Sequence, residues 1–120
     1  MGLTHVTAML TNLAKTKEGY ESLFLVDTGA THCLAPANEL HKVGIEIEGK
    51  ETYELANGAP LECNYGFARI SFMGSETVTK IIFGPENVEP ILGVIPLESV
   101  GIVVDPRTNS LKRLPAISLK

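Results

Sequence analysis

Aspartate is nearly missing from this sequence of 120 residues, with two copies against twelve glutamates. Other absences bound the function before any motif is read. No apolar run approaches the ~18–20 residues of a membrane-spanning helix, so no membrane partner is expected. Lysine and arginine never cluster, and 14 acidic residues outweigh 10 basic ones for a net charge of −4. Nucleic acid, which is held through many phosphate contacts, is therefore not an expected partner. Cys33 and Cys63 are the only cysteines and form no CxxC pair. That spacing argues against a structural zinc and leaves two reduced thiols, read as small apolar fillers. His5, His32 and His41 make no HExxH pair, and neither a metal nor a cofactor is expected. The first nineteen residues, MGLTHVTAMLTNLAKTKEG, lack the charged start and compact apolar stretch of a signal peptide. The expected location is the cytoplasm.

What is present suits one globular domain over residues 1–120. Apolar residues make up 44% and charged residues 20%, and a chain of this length buries roughly two-thirds of its unfolded surface without a staple. Short extended runs alternate with turn residues. His5 to Leu10 is β-favourable, and Tyr20 to Val26 ends in the continuous apolar run of a buried strand. Asp27-Thr28-Gly29-Ala30 breaks it, and Thr31 to Pro36 resumes an extended pattern. Ala37 to Val43, with Pro36 at its start and Gly44 after its end, predicts a short helix. A brief strand is expected at Ile45 to Glu48. Asn57-Gly58 between Thr52–Ala56 and Pro60–Cys63 predicts a hairpin with positive φ at both central residues. Gly66–Met73 and Glu76–Phe83 alternate with period two, and Gly74-Ser75 is expected to join them. Pro90 to Val94 is a short apolar segment, and Pro96 to Val100 reads as one or two helical turns. Gly101–Val104 and Leu111–Leu114 read as strands joined by a turn over Asp105 to Asn109. The pattern is that of a mostly-β barrel or sandwich with two short helical pieces.

The two aspartates differ in setting. Asp105 precedes Pro106 and reads as a turn starter. Asp27 directly follows Leu23-Phe24-Leu25-Val26. A carboxylate at the end of a core strand is costly unless it is hydrogen-bonded or shares a proton. One reading is a strand-end residue that caps the following turn. The surrounding residues supply another.

Phe24 to Thr31, FLVDTGAT, resembles the active-site loop of the retropepsin-like aspartic proteases, an apolar run followed by Asp-Thr/Ser-Gly-Ala/Ser. Ile91-Leu92-Gly93, with Ile95 to Ser99 behind it, resembles their second signature, two apolar residues and a glycine ahead of a short helix. The order agrees too, with the Asn57-Gly58 hairpin standing where the family keeps its flap. The similarity runs over residues 5–115, and Ile91 to Leu114 looks most like the small single-domain bacterial and archaeal members. It implies a small closed acid-protease-type β-barrel with one or two short helices, one lobe per chain.

It also implies an aspartic endopeptidase that needs two facing carboxylates and a water. No second Asp-Thr/Ser-Gly exists in the chain, so the partner would come from a second copy in a C2 homodimer, on an extended peptide or protein substrate. By resemblance, Asp27 is the catalytic residue, Thr28 braces the partner loop, and Gly29 gives substrate backbone room to approach. Ala30 completes the loop. Thr31, His32, Ile91 and the flap residues Ala56, Asn57 and Gly58 would bind substrate. Tyr53 stands loosely where pepsin-like flaps carry a tyrosine. Apolar residues are expected on either side of the cleaved bond. The competing reading keeps the fold and the dimer but makes it a non-catalytic peptide-binding or dimerisation module.

Overall fold

A computed structural model describes residues 4–117 and 119. The chain runs β1 (His5–Thr11), β2 (Tyr20–Val26), β3 (Cys33–Pro36), α1 (Ala37–Lys42), β4 (Gly49–Glu54), β5 (Pro60–Phe72), β6 (Ser75–Gly84), β7 (Ile91–Leu92), α2 (Val94–Ser99), β8 (Ile102–Asp105) and β9 (Ser110–Arg113). The fold is mostly β, with two short helices, as the turn-punctuated pattern predicts. No helix of the described residues is long and apolar enough to cross a membrane.

Seven strands form one sheet in the order β1-β2-β7-β3-β6-β5-β4, and a further pairing of β1 with β5 closes the first six into a barrel. Closure removes the open edges that a sheet would otherwise expose. β4 stays outside the ring, paired with the first half of β5. β5 is long enough, at 13 residues, to serve both purposes. Its first half carries the β4 hairpin away from the barrel, and its second half pairs with β6 and β1. The interior is filled by Leu10, Phe24, Leu40, Ile70, Ile81, Leu92, Leu97 and Ile102, all essentially inaccessible to solvent. Each such side chain contributes about 1.5–3 kcal/mol of burial energy. α2 packs on β6 and β8, and α1 on β3 and β6, so each helix covers an end of the barrel wall.

Several expected elements differ. Ile45 to Glu48 is not a strand. It is held by Ile45 N–H donating to Leu40 O and Glu48 N–H donating to Tyr65 O. Its backbone crosses β5 so closely that a Cβ on Gly66 would stand 2.2 Å from Glu46 O. The two expected strands Pro60–Cys63 and Gly66–Met73 are a single strand through that glycine. The β4–β5 connection is a loop of three residues, Ala56 to Gly58, closed by Leu55 N–H to Ala59 O and Gly58 N–H to Leu55 O. Only Gly58 has positive φ there, because three-residue loops place one left-handed residue last. Asn57 instead accepts Ala59 N–H through its side chain, at 2.9 Å.

The β5–β6 hairpin turns at Met73-Gly74, one residue before the expected Gly74-Ser75, since Phe72 pairs with Ser75. Met73 and Gly74 have φ of 52° and 77°, the signature of a two-residue type I′ turn. A bulky residue in the left-handed region costs about 1–2 kcal/mol, and the exposed Met73 side chain recovers little by packing. Met73→Asn, which creates Asn-Gly, is expected to raise stability by about 0.5–1 kcal/mol. Urea denaturation measures it, and a loss of stability would contradict the turn assignment.

Candidate active site

β2 ends at Val26 alongside β7, with Leu25 opposite Ile91 and Val26 opposite Leu92 in parallel register. The next residue is still tied to β7, because Asp27 N–H donates to Leu92 O at 3.0 Å. The chain then reverses. Gly29 N–H donates to Asp27 Oδ1 at 2.9 Å, and Ala30 N–H donates to Asp27 O at 3.0 Å. This is an aspartate using one carboxylate oxygen to shape its own turn. Oδ2 carries no hydrogen bond among the described residues. A Cβ on Gly29 would lie 3.2 Å from Asp27 Oδ1, so the glycine leaves bare backbone beside the carboxylate. Asp27 is half-buried, whereas Thr28 and Gly29 are exposed.

The loop is braced from the other side by the second motif. Gly93 caps α2 without any side-chain hydrogen bond, so the first N–H groups of the helix need other acceptors. They find the loop itself: Val94 N–H donates to Ala30 O at 2.8 Å and Ile95 N–H to Thr31 O at 3.3 Å. A Cβ on Gly93 would lie 2.4 Å from His32 O and 2.9 Å from Ala30 O. The glycine of Ile-Leu-Gly is thus the residue over which the loop crosses, which makes the two motifs parts of one contact.

Beside this loop lies a cleft of about 420 Å³. Its floor is a row across three neighbouring strands: Ile82 pairs with Leu34, and Leu34 pairs with Ile91. Gly29, Ala30, Thr31 and His32 form one wall. The β4–β5 hairpin forms the other, through Tyr53, Glu54, Leu55, Leu61 and Cys63. Of the residues singled out in the sequence, Gly29, Ala30, Thr31, His32 and Ile91 line this space. Asp27 and Thr28 directly precede that wall and are not themselves part of it. Ala56, Asn57 and Gly58 are exposed at the hairpin tip and do not line the cleft. The three-residue loop carries them past it, and the strand residues behind the tip are the ones that face the floor. Tyr53 and Leu55, two residues apart in the run before Asn57-Gly58, were the sequence signal for an inward face of the hairpin.

The polar groups of the cleft are not ordinary. His32 Nδ1 and Tyr53 OH are covered and have no hydrogen-bond partner among the described residues. Burial and then the Lys80 ammonium hold the His32 imidazole below its usual range, with Glu51 opposing. Burial pushes the Tyr53 phenol up, against the pull of Lys80. Neither thiol has thiolate character. Burial pushes Cys33 up to about 11 and raises Cys63 as well, so a cysteine nucleophile has no support here. Among the described residues no three His, Cys, Asp or Glu side chains converge as a metal site would require. Asp105 Oδ1 accepts Arg107 N–H at 2.9 Å and starts the β8–β9 turn, away from this chemistry.

Comparison with known proteins finds no family model that matches the chain and no curated protein similar to it.

The depressed His32 gives a measurable pH dependence. Between its folded value and the ~6.5 of an unfolded histidine, the unfolded chain binds the proton more readily. The His32 contribution to stability therefore rises with pH through that window and is fully present above it. NMR titration of the imidazole is expected to give a midpoint below 6.5, and His32→Gln is expected to reduce the slope of stability in the window just below 6.5. A midpoint above 6.5 would contradict the buried, cation-facing placement.

Proposed function

We infer that this chain is an aspartic endopeptidase of the retropepsin-like kind, active as a homodimer. The observation that carries the reading is the setting of Asp27. It is a half-buried carboxylate at the end of a core strand, with one oxygen committed to its own loop. The other oxygen makes no hydrogen bond among the described residues, and the loop continues into one wall of an apolar cleft whose other wall is the β4–β5 hairpin. One such carboxylate is half of a hydrolytic site. The exposed Thr28 and Gly29 leave this edge of the loop open to a second copy across a two-fold axis.

In the dimer the two Asp27 carboxyls face each other across one water. Two like charges that close do not both ionise, so they share a single proton, and their titration belongs to the pair. An extended peptide lies between loop and hairpin, with an apolar side chain over the Ile82–Leu34–Ile91 floor. The ionised carboxylate takes a proton from water as the water oxygen attacks the carbonyl carbon. The protonated carboxyl gives its proton to the carbonyl oxygen, yielding a tetrahedral diol. The carbon–nitrogen bond then breaks as nitrogen takes a proton from the dyad. One diol hydroxyl returns its proton to the dyad, leaving a carboxylic acid, an amine and the one shared proton. No covalent enzyme intermediate forms, and Gly29 lets the substrate backbone reach the carboxylates.

Asp27→Asn is expected to lower peptide cleavage by at least the ~10²–10⁴-fold typical of a lost acid–base group. Sedimentation is expected to show the same dimer. Undiminished cleavage would overturn the role of Asp27, and a wild-type dimer that binds peptides without cutting them would leave the peptide-binding module.

A further inference from the structure

Lys80 lies on β6, in the barrel wall, yet its charged end belongs to the hairpin. Its ammonium is 2.5 Å from Glu51 Oε1 on β4. It also sits 4.1 Å from the ring centre of Tyr65 on β5 and 5.9 Å from that of Tyr53 on β4. β6 and β4 are not neighbours, because β5 stands between them. The lysine therefore reaches over an intervening strand to hold the outermost one. Its side chain is only 18% exposed, against 58% for Lys50 on the same hairpin. A cation that lies over two tyrosine rings as well as beside a half-exposed carboxylate is a stronger tether than an ion pair alone.

The tether acts on a strand that needs one. β4 lies outside the closed ring and pairs with β5 alone, and the hairpin it forms supplies one wall of the cleft. Two polar atoms that face each other across this space, Tyr53 OH on the hairpin and His32 Nδ1 on the opposite loop, are buried with no hydrogen-bond partner among the described residues. Covering such atoms opposes closure, since water would satisfy both if the hairpin lifted. The Glu51–Lys80–Tyr65 contact is the attraction that offsets it.

We propose that Lys80 is a positioning residue that sets the height of the β4–β5 hairpin over the cleft by pulling Glu51 and Tyr53 against the barrel. It touches no substrate. It governs how tightly the space between hairpin and loop closes, and the consequence for peptide binding rests on the protease reading above.

Hydrogen exchange of the full chain tests the proposal without any need for activity. In Lys80→Met, amides of residues 52–61 are expected to exchange about five- to thirtyfold faster, the worth of one ion pair plus one cation–π contact. Amides of β1 and β2 serve as the internal reference and are expected to stay slow. Glu51→Gln is expected to loosen the hairpin by a smaller factor, since the aromatic contacts remain, and Lys80→Arg, which keeps the charge and the aromatic contacts, to retain most of the protection. With a cleaved peptide, the Lys80→Met change is expected mainly in KM and less in kcat. Unchanged hairpin exchange in Lys80→Met, an equal rise in the β1 and β2 amides, or the same loss of protection in Lys80→Arg as in Lys80→Met would overturn the proposal. If the exchange results appear as expected while wild-type protein cleaves no peptide, the tether stands and the protease reading falls.

Discussion

The whole arrangement depends on one mutual contact, the crossing of the Asp27 loop over the start of α2. The loop needs donors for the carbonyls of Ala30 and Thr31, and the helix needs acceptors for its first N–H groups. Each supplies the other through Val94 and Ile95. Gly93 makes the crossing possible, since any side chain there would occupy the space of His32 O. Because β2 and β7 are parallel neighbours, Asp27 and Gly93 leave the sheet at the same end and meet. The Asp27 carboxylate is thereby held at a set position on a closed barrel, as the proposed acid–base chemistry requires.

Around that contact the molecule divides into a closed ring of strands and a hairpin that extends outside it. The floor of the cleft, Ile82, Leu34 and Ile91, belongs to strands inside the closed ring. The roof belongs to a hairpin outside it, joined through the first half of β5. On the proposed endopeptidase reading, this division lets the hairpin close over an extended chain and exclude water from it. It also places Lys80 on the barrel wall and its partners Glu51 and Tyr65 on the strands of the hairpin.

Much of this was legible in the sequence, for identifiable reasons. The strand leading into Asp27 stands out because a run of four apolar residues ends on a carboxylate. α1 and α2 follow from the proline and glycine punctuation around them. The turn at Asp105 follows from Asp-Pro, and the hairpin after Glu54 from Asn57-Gly58. What was not legible depends on distant register. Ile45 to Glu48 has the composition of a strand, but it crosses β5 at Gly66 instead of pairing along it. Met73 gives no local sign of a left-handed conformation; the pairing of Phe72 with Ser75 imposes it. The hairpin tip looked like the substrate-facing part, whereas the cleft is lined by the strand residues behind it, Tyr53, Leu55 and Leu61. Lys80 carried no signal at all, because its role exists only once β5 brings β6 and β4 to either side of it. The roles given to Asp27 and Thr28 rest on a resemblance and on chemistry that calls for a second copy.

The most direct test of the central claim is therefore a high-resolution crystal structure of the protein in its solution oligomer, read at Asp27. The account predicts a two-fold dimer in which the Asp27 carboxylates of the two copies lie within hydrogen-bond reach of one shared water. A monomer, or a dimer that holds the two loops apart with each Asp27 serving only its own turn, would contradict it.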